Sequence, residues 1–132
     1  MAIKKFVEAA RAWLGMRRPV QAPPNQSAEF FLTYGNLLIG TLSVVNTRWK
    51  FEYSEEFKKS DSLRPLIEFP DVNESYESED LWQFFSSRIP STEQAEVEAI
   101  LREENISEDD AIGLLRRFGT RTVSNPFKLR AA

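Results

Sequence analysis

The sequence predicts an α+β domain, and two observations carry the prediction. Residues 30–53 are rich in aromatic and β-branched side chains broken only by short turn signals, as in hairpin-linked strands. Beyond residue 78 the apolar residues recur at helical spacing, each run opened by Ser with acidic residues or Gln behind it. The expected architecture is a small antiparallel sheet, a hairpin extended into a meander, covered by about three helices. An extra amphipathic helix is expected at the N-terminus. The 132 residues fit one domain with a sizeable core. The expected division is a helix over 1–18, a Pro-rich linker over 19–27 and the folded domain over 28–132.

In chain order, Ile3, Phe6, Val7, Ala10, Trp13 and Leu14 fall on one helical face, opposite Lys4, Lys5, Glu8 and Arg11. Gly15 and Pro19 end this helix, and PVQAPPNQS reads as an extended linker. Phe30–Tyr34 and Leu37–Val45 are strands around a Gly35-Asn36 turn; Asn46-Thr47 then turns the chain into Trp49–Tyr53. There Trp49, Phe51 and Tyr53 alternate with Lys50 and Glu52, the mark of a strand with one wet face. Gly40 inside the second strand points to a bulge or a close backbone approach. Glu55–Ser62 is expected as a charged connection, and Leu66–Phe69, between Pro65 and Pro70, as a fourth strand at an edge.

The stretch Tyr76–Gln94 joins sheet to helices. Ser78 is the expected N-cap of a helix whose buried stripe is Leu81, Phe85 and Ile89, with Phe84 and Trp82 at its margins. A second helix is expected from Ser91, with Gln94 completing a capping box and Ala95, Val97, Ile100 and Leu101 buried. A third is expected from Ser107, burying Ala111, Leu114, Leu115 and Phe118 and stopping at Gly119. Residues 121–129 are expected as a last strand, interrupted by Pro126.

Composition narrows the chemistry. The chain has neither cysteine nor histidine. Disulfides, thiolate nucleophiles and zinc sites of the usual kinds are therefore out, and so is the commonest general base. No apolar run approaches the roughly 18–20 residues needed to span a bilayer, and the cytoplasm is the expected compartment. The net charge of −3 covers basic ends and an acidic middle, which argues against direct nucleic-acid binding. Adjacent acidic pairs such as Glu103-Glu104 and Asp109-Asp110 point about 100° apart on a helix, so capping and solvation explain them better than a metal site. Gly35-Asn36 lies between strands and lacks the ending of a phosphate loop. No catalytic, cofactor or metal-binding residue emerges, and an enzyme is not expected.

Several of these pieces together resemble the N-terminal subdomain of HipA-type serine/threonine toxin kinases. They are Ile39-Gly40-Thr41-Leu42, the strand Trp49–Tyr53, and Arg64-Pro65-Leu66 before Phe69-Pro70. Phe84-Phe85 ahead of Pro90, and Ala111–Leu115 leading to Phe118-Gly119, complete the pattern. The family's usual Asn-Leu-Leu-Pro-Glu is here Ser87-Arg88-Ile89-Pro90-Ser91. As a separate chain, the domain is similar to the HipS-type small component of tripartite HipBST toxin–antitoxin systems. That resemblance implies a non-catalytic antitoxin-like protein that binds and inhibits a HipA-like kinase chain, alongside a helix-turn-helix DNA-binding component. The residues expected at the partner surface are Trp82, Ser86, Ser87 and Arg88. The alternative is a peripheral adaptor docking to membrane or to another protein through residues 1–18; membrane contact is the less favoured reading.

Overall fold

The computed structural model describes residues 20–123 and 125–132. The expected N-terminal helix over 1–18 lies outside them. Five strands form one antiparallel sheet in the order β4-β3-β2-β1-β5. They are β1 (Ser27–Tyr34), β2 (Leu37–Val45), β3 (Arg48–Tyr53), β4 (Ser75–Ser78) and β5 (Lys128–Ala131). Four helices accompany the sheet among the described residues: α1 (Glu55–Lys59), α2 (Gln83–Ser86), α3 (Ala95–Glu103) and α4 (Ala111–Phe118). The α+β class and the meander are as the sequence predicts. None of these helices is long and apolar enough to cross a membrane.

The meander follows from its turns. Gly35 takes a positive φ of 57° at the first central position, which a side chain would resist. Asn46 and Thr47 both adopt positive φ, and the Asn46 side chain accepts from the Asn25 N–H at 2.9 Å, tying the turn to the strand entry. Pairing slips between Leu32 and Thr33, leaving Ile39 as the extra residue of a bulge beside Gly40. A Cβ on Gly40 would lie 2.4 Å from the Glu52 carbonyl oxygen and 2.7 Å from the Phe51 ring. Both readings of that glycine therefore hold. Phe30, Leu32, Leu42, Val44, Trp49, Phe51 and Tyr53 share the buried face, and the residues that alternate with them, Phe31, Thr41, Ser43, Lys50 and Glu52, are half or fully exposed.

Leu66–Phe69 is a turn and not the expected fourth strand. The Phe69 N–H closes it on the Leu66 carbonyl at 3.0 Å. The Tyr53 hydroxyl accepts from the Leu66 N–H at 2.8 Å and donates to the Phe69 carbonyl at 2.6 Å. One phenol thus satisfies backbone groups that a ladder would otherwise take. The fourth strand is instead Ser75–Ser78, and Ser78, the expected helix N-cap, ends it. It pairs Tyr76 with Phe51 and Ser78 with Trp49. The charged connection after β3 holds the short helix α1, capped by Ser54 and anchored by buried Phe57 stacked on Tyr53.

The expected helix from Ser78 shrinks to Gln83–Ser86. The Leu81 N–H is taken by the Val20 carbonyl at 2.8 Å, so residues 79–82 stay out of the helix, bent at 79–80 and extended at Trp82, and the helix opens only after Trp82. The stripe survives the shortening: Leu81, Phe85 and Ile89 are all buried. The next two helices start later than expected for one shared reason. Ser91 and Ser107 accept from the N–H two residues on, at 3.3 and 3.2 Å, and make local turns in place of caps. Gln94 becomes the N-cap of α3, and Asp110, accepting from the Gly113 N–H at 3.0 Å, caps α4. Of the expected α3 stripe Val97 and Leu101 are buried, whereas Ile100 is half-buried and Ala95 exposed. Gly119 does stop α4, but in right-handed geometry. The last strand lies beyond Pro126, at Lys128–Ala131, against β1.

The described part of the Pro-rich segment, from Val20, has no helix or strand before β1, turns at residues 24–25 and packs on the domain. Ala22 is buried, Val20 touches the core, and the Gln21 side chain donates to Asp80 at 2.7 Å.

Candidate partner-binding surface

Where the sheet end meets α2, aromatic side chains run from core to surface. Phe85 is fully buried, with its ring centroid 5.6 Å from that of Phe51 and 6.1 Å from that of Phe69. Phe84, next to it on α2, is half-buried and meets Phe127 at 5.7 Å; Phe127 in turn meets Tyr34 at 5.4 Å. On the other side Trp82 stands edge-on to Phe69 at 5.0 Å. The Phe84 N–H donates to Glu68 at 2.8 Å, which draws the Leu66–Phe69 turn against α2. The tip of that turn is Ile67, 98% exposed. Tyr34, Phe127 and Phe84 thus meet ring to ring, Trp82 leans on Phe69, and Ile67 stands on the turn that Glu68 ties to α2; these five partly or wholly exposed apolar groups are termed the ridge.

Such a ridge has the kind of chemistry that recognition surfaces use. Partly exposed aromatics already held by packing lose little side-chain freedom on binding, and interfaces are enriched in them. Ile67 is held out by two anchored neighbours, Leu66 and Phe69, and contributes nothing to the core that could explain its identity.

The expected partner residues divide. Trp82 stays at the surface, as N-cap of α2 and part of the ridge, and Ser87 is exposed just beyond. Ser86 and Arg88 point inward, at 6% and 4% exposure, and present almost no surface to a partner. Arg88 donates to the Gly119 carbonyl and to Asn125 Oδ1, each at 3.2 Å, and its guanidinium lies 5.4 Å from the Phe84 ring centroid. Burial pulls its pKa down to about 10. Tyr34, Ile67 and Phe127 were missed by sequence reasoning. For Ile67 the signal was available in the flanking Pro65 and Pro70, which argue against a ladder strand and for a protruding turn. For Phe127 and Tyr34 there was none, because their meeting depends on β5 pairing with β1.

An open groove of about 750 Å³ runs beside α3, with Leu101 and Ile106 at its apolar part and Glu93, Glu98, Arg102 and Glu108 among its polar lining. It lies apart from the ridge residues in sequence and shares none of them.

A comparison with curated proteins finds no match. The family model described as the HipA N-terminal domain matches residues 30–124, which take in most of β1, the rest of the meander, the Leu66–Phe69 turn and all four helices. With well over half of its length inside that match, the chain belongs to the HipA N-terminal domain family.

Proposed function

We propose that this chain is a non-catalytic module that binds a HipA-like serine/threonine kinase chain and restrains it. The observation that carries the reading is the ridge on a HipA N-terminal domain: Trp82, Phe84 and Phe127 are partly exposed and packed against the core, Tyr34 is exposed against Phe127, and Ile67 is exposed on its turn. Binding buries the ridge against the kinase near its nucleotide or substrate cleft. Restraint then follows from a rigid body occupying space that the kinase needs in order to close. The absence of histidine and cysteine from the chain leaves it without the usual nucleophile–base pairs, which supports a binding role over a catalytic one. A helix-turn-helix DNA-binding protein belongs to the same proposal as a third component, reached through the kinase.

The test is to purify this chain and a HipA-like kinase chain that lacks its own N-terminal domain, and to follow phosphorylation by the kinase. A stable complex and dose-dependent loss of phosphorylation are expected. Phosphorylation unaffected by saturating amounts of the folded chain would contradict the proposal.

A further inference from the structure

Arg88 is the one buried charged residue among those described. None of the described carboxylates pairs with it; its partners are the Gly119 carbonyl and Asn125 Oδ1, and its Nε has none. A guanidinium taken out of water and met only by neutral acceptors costs stability. Yet the placement links two parts of the ridge. The Asn125 Oδ1 that accepts from Arg88 also accepts from the Phe127 N–H at 3.1 Å, and the guanidinium lies over Phe84, the ring that Phe127 meets. Arg88 therefore touches one aromatic of the ridge directly and fixes the backbone of the next.

The segment it holds is a short one. β5 has four residues and lies at the edge of the sheet, paired with β1 alone. Beyond that pairing, it is tied by the Leu129 side chain, which is buried in the core, by Arg130 over the Phe31 ring, and by the Leu129 N–H donating to the Thr120 carbonyl at 3.0 Å. A short edge strand, paired on one side and anchored by one buried side chain, opens at less than the global unfolding free energy.

We propose that Arg88 and Asn125 form a latch that holds the C-terminal segment 125–131 against α2, so that the partner-binding ridge is complete only while β5 is zipped to the sheet. This rests on the ridge being the surface that meets the kinase. It makes Arg88 a positioning residue, acting through Phe84 and Phe127 and not by touching the partner. A partner that binds the zipped form stabilises it in proportion, so kinase binding and closure of β5 are linked.

The experiment measures amide hydrogen exchange at Leu129 and Ala132 in the full chain, together with melting and kinase affinity, for the parent, Arg88→Met, Asn125→Ala and Arg88→Lys. Arg88→Met removes the uncompensated charge as well as the two hydrogen bonds, so its melting should stay close to the parent's. Exchange at both amides should nevertheless quicken by about tenfold, and kinase affinity should fall by about tenfold, the scale of one lost hydrogen bond to a charged group. Asn125→Ala, on a half-buried residue, should act in the same direction and covers the case in which Arg88→Met misfolds. Arg88→Lys keeps the charge but cannot reach both acceptors, and should rescue neither readout. Unchanged exchange in folded Arg88→Met or Asn125→Ala protein overturns the latch, whether or not the kinase binds. Faster exchange with parental affinity overturns its link to the ridge. Failure of the parent chain to bind the kinase counts against the functional reading alone, and the exchange data still decide the latch.

Discussion

Phe85 has no accessible surface and packs among Phe51, Phe69 and Phe84. Phe85→Ala should cost about 3–5 kcal/mol in denaturant unfolding, a large share of what a domain of this size has; a variant unfolding with the parent would show that the packing around it is loose. Trp82 is half-buried, with its ring edge-on to that of Phe69. Tyr53 makes a different kind of contribution, because its hydroxyl satisfies both ends of the Leu66–Phe69 turn. Burial raises its pKa to about 12. The folded chain therefore keeps the phenol proton that the unfolded chain releases near pH 10. The stability this supplies is full below about pH 10 and is lost as the pH rises through about 12. Arg88 acts in the opposite sense over the same range, since its depressed pKa lets the folded chain shed its charge first. Parent and Tyr53→Phe share the Arg88 effect, so their difference isolates the phenol. Tyr53→Phe should cost about 1–3 kcal/mol at neutral pH, and the gap should close toward pH 12; a gap independent of pH would contradict the assignment.

At the scale of elements, the sequence was most readable where pattern and turn chemistry agreed. The three-stranded meander, with its glycine turn and the bulge beside Gly40, appears as expected because each signal is local. The helix stripes were also legible: Leu81, Phe85, Ile89, Val97, Leu101, Leu114 and Leu115 are buried. Their starts were not, since a serine two residues from a free N–H makes a turn as readily as a cap, and only the tertiary fold decides between them. Leu66–Phe69 reads as a strand until Tyr53, from a distant part of the chain, takes its backbone hydrogen bonds. The surface was the least legible part. Trp82 is half-buried and Ser87 exposed, whereas Arg88 beside them is drawn inward by Gly119 and Asn125, which lie more than 30 positions away. The Pro-rich segment yields a prediction of its own. A chain beginning at Val20 keeps the contact of Val20 with Leu81 and the burial of Ala22; one beginning at Gln26 loses both. The shorter chain should melt roughly 5–10 °C lower, equivalent to about 1–2 kcal/mol. Equal melting of the two would mean that the segment contributes nothing to the domain.

At the scale of the whole molecule, the described residues present an apolar ridge on a domain of the HipA N-terminal domain family. A ridge held by Phe69 and Phe85 is pre-organised, so its binding energy is not spent on ordering side chains. The cleanest probe of it is Ile67, because at 98% exposure its replacement disturbs nothing that the fold needs. Titration calorimetry of the kinase chain with parent and Ile67→Asp protein tests the central claim most directly. The account predicts melting within about 0.5 kcal/mol of the parent, as for surface changes in general, with kinase affinity weakened by at least about thirtyfold, or about 2 kcal/mol. Parental affinity in well-folded Ile67→Asp protein would contradict it.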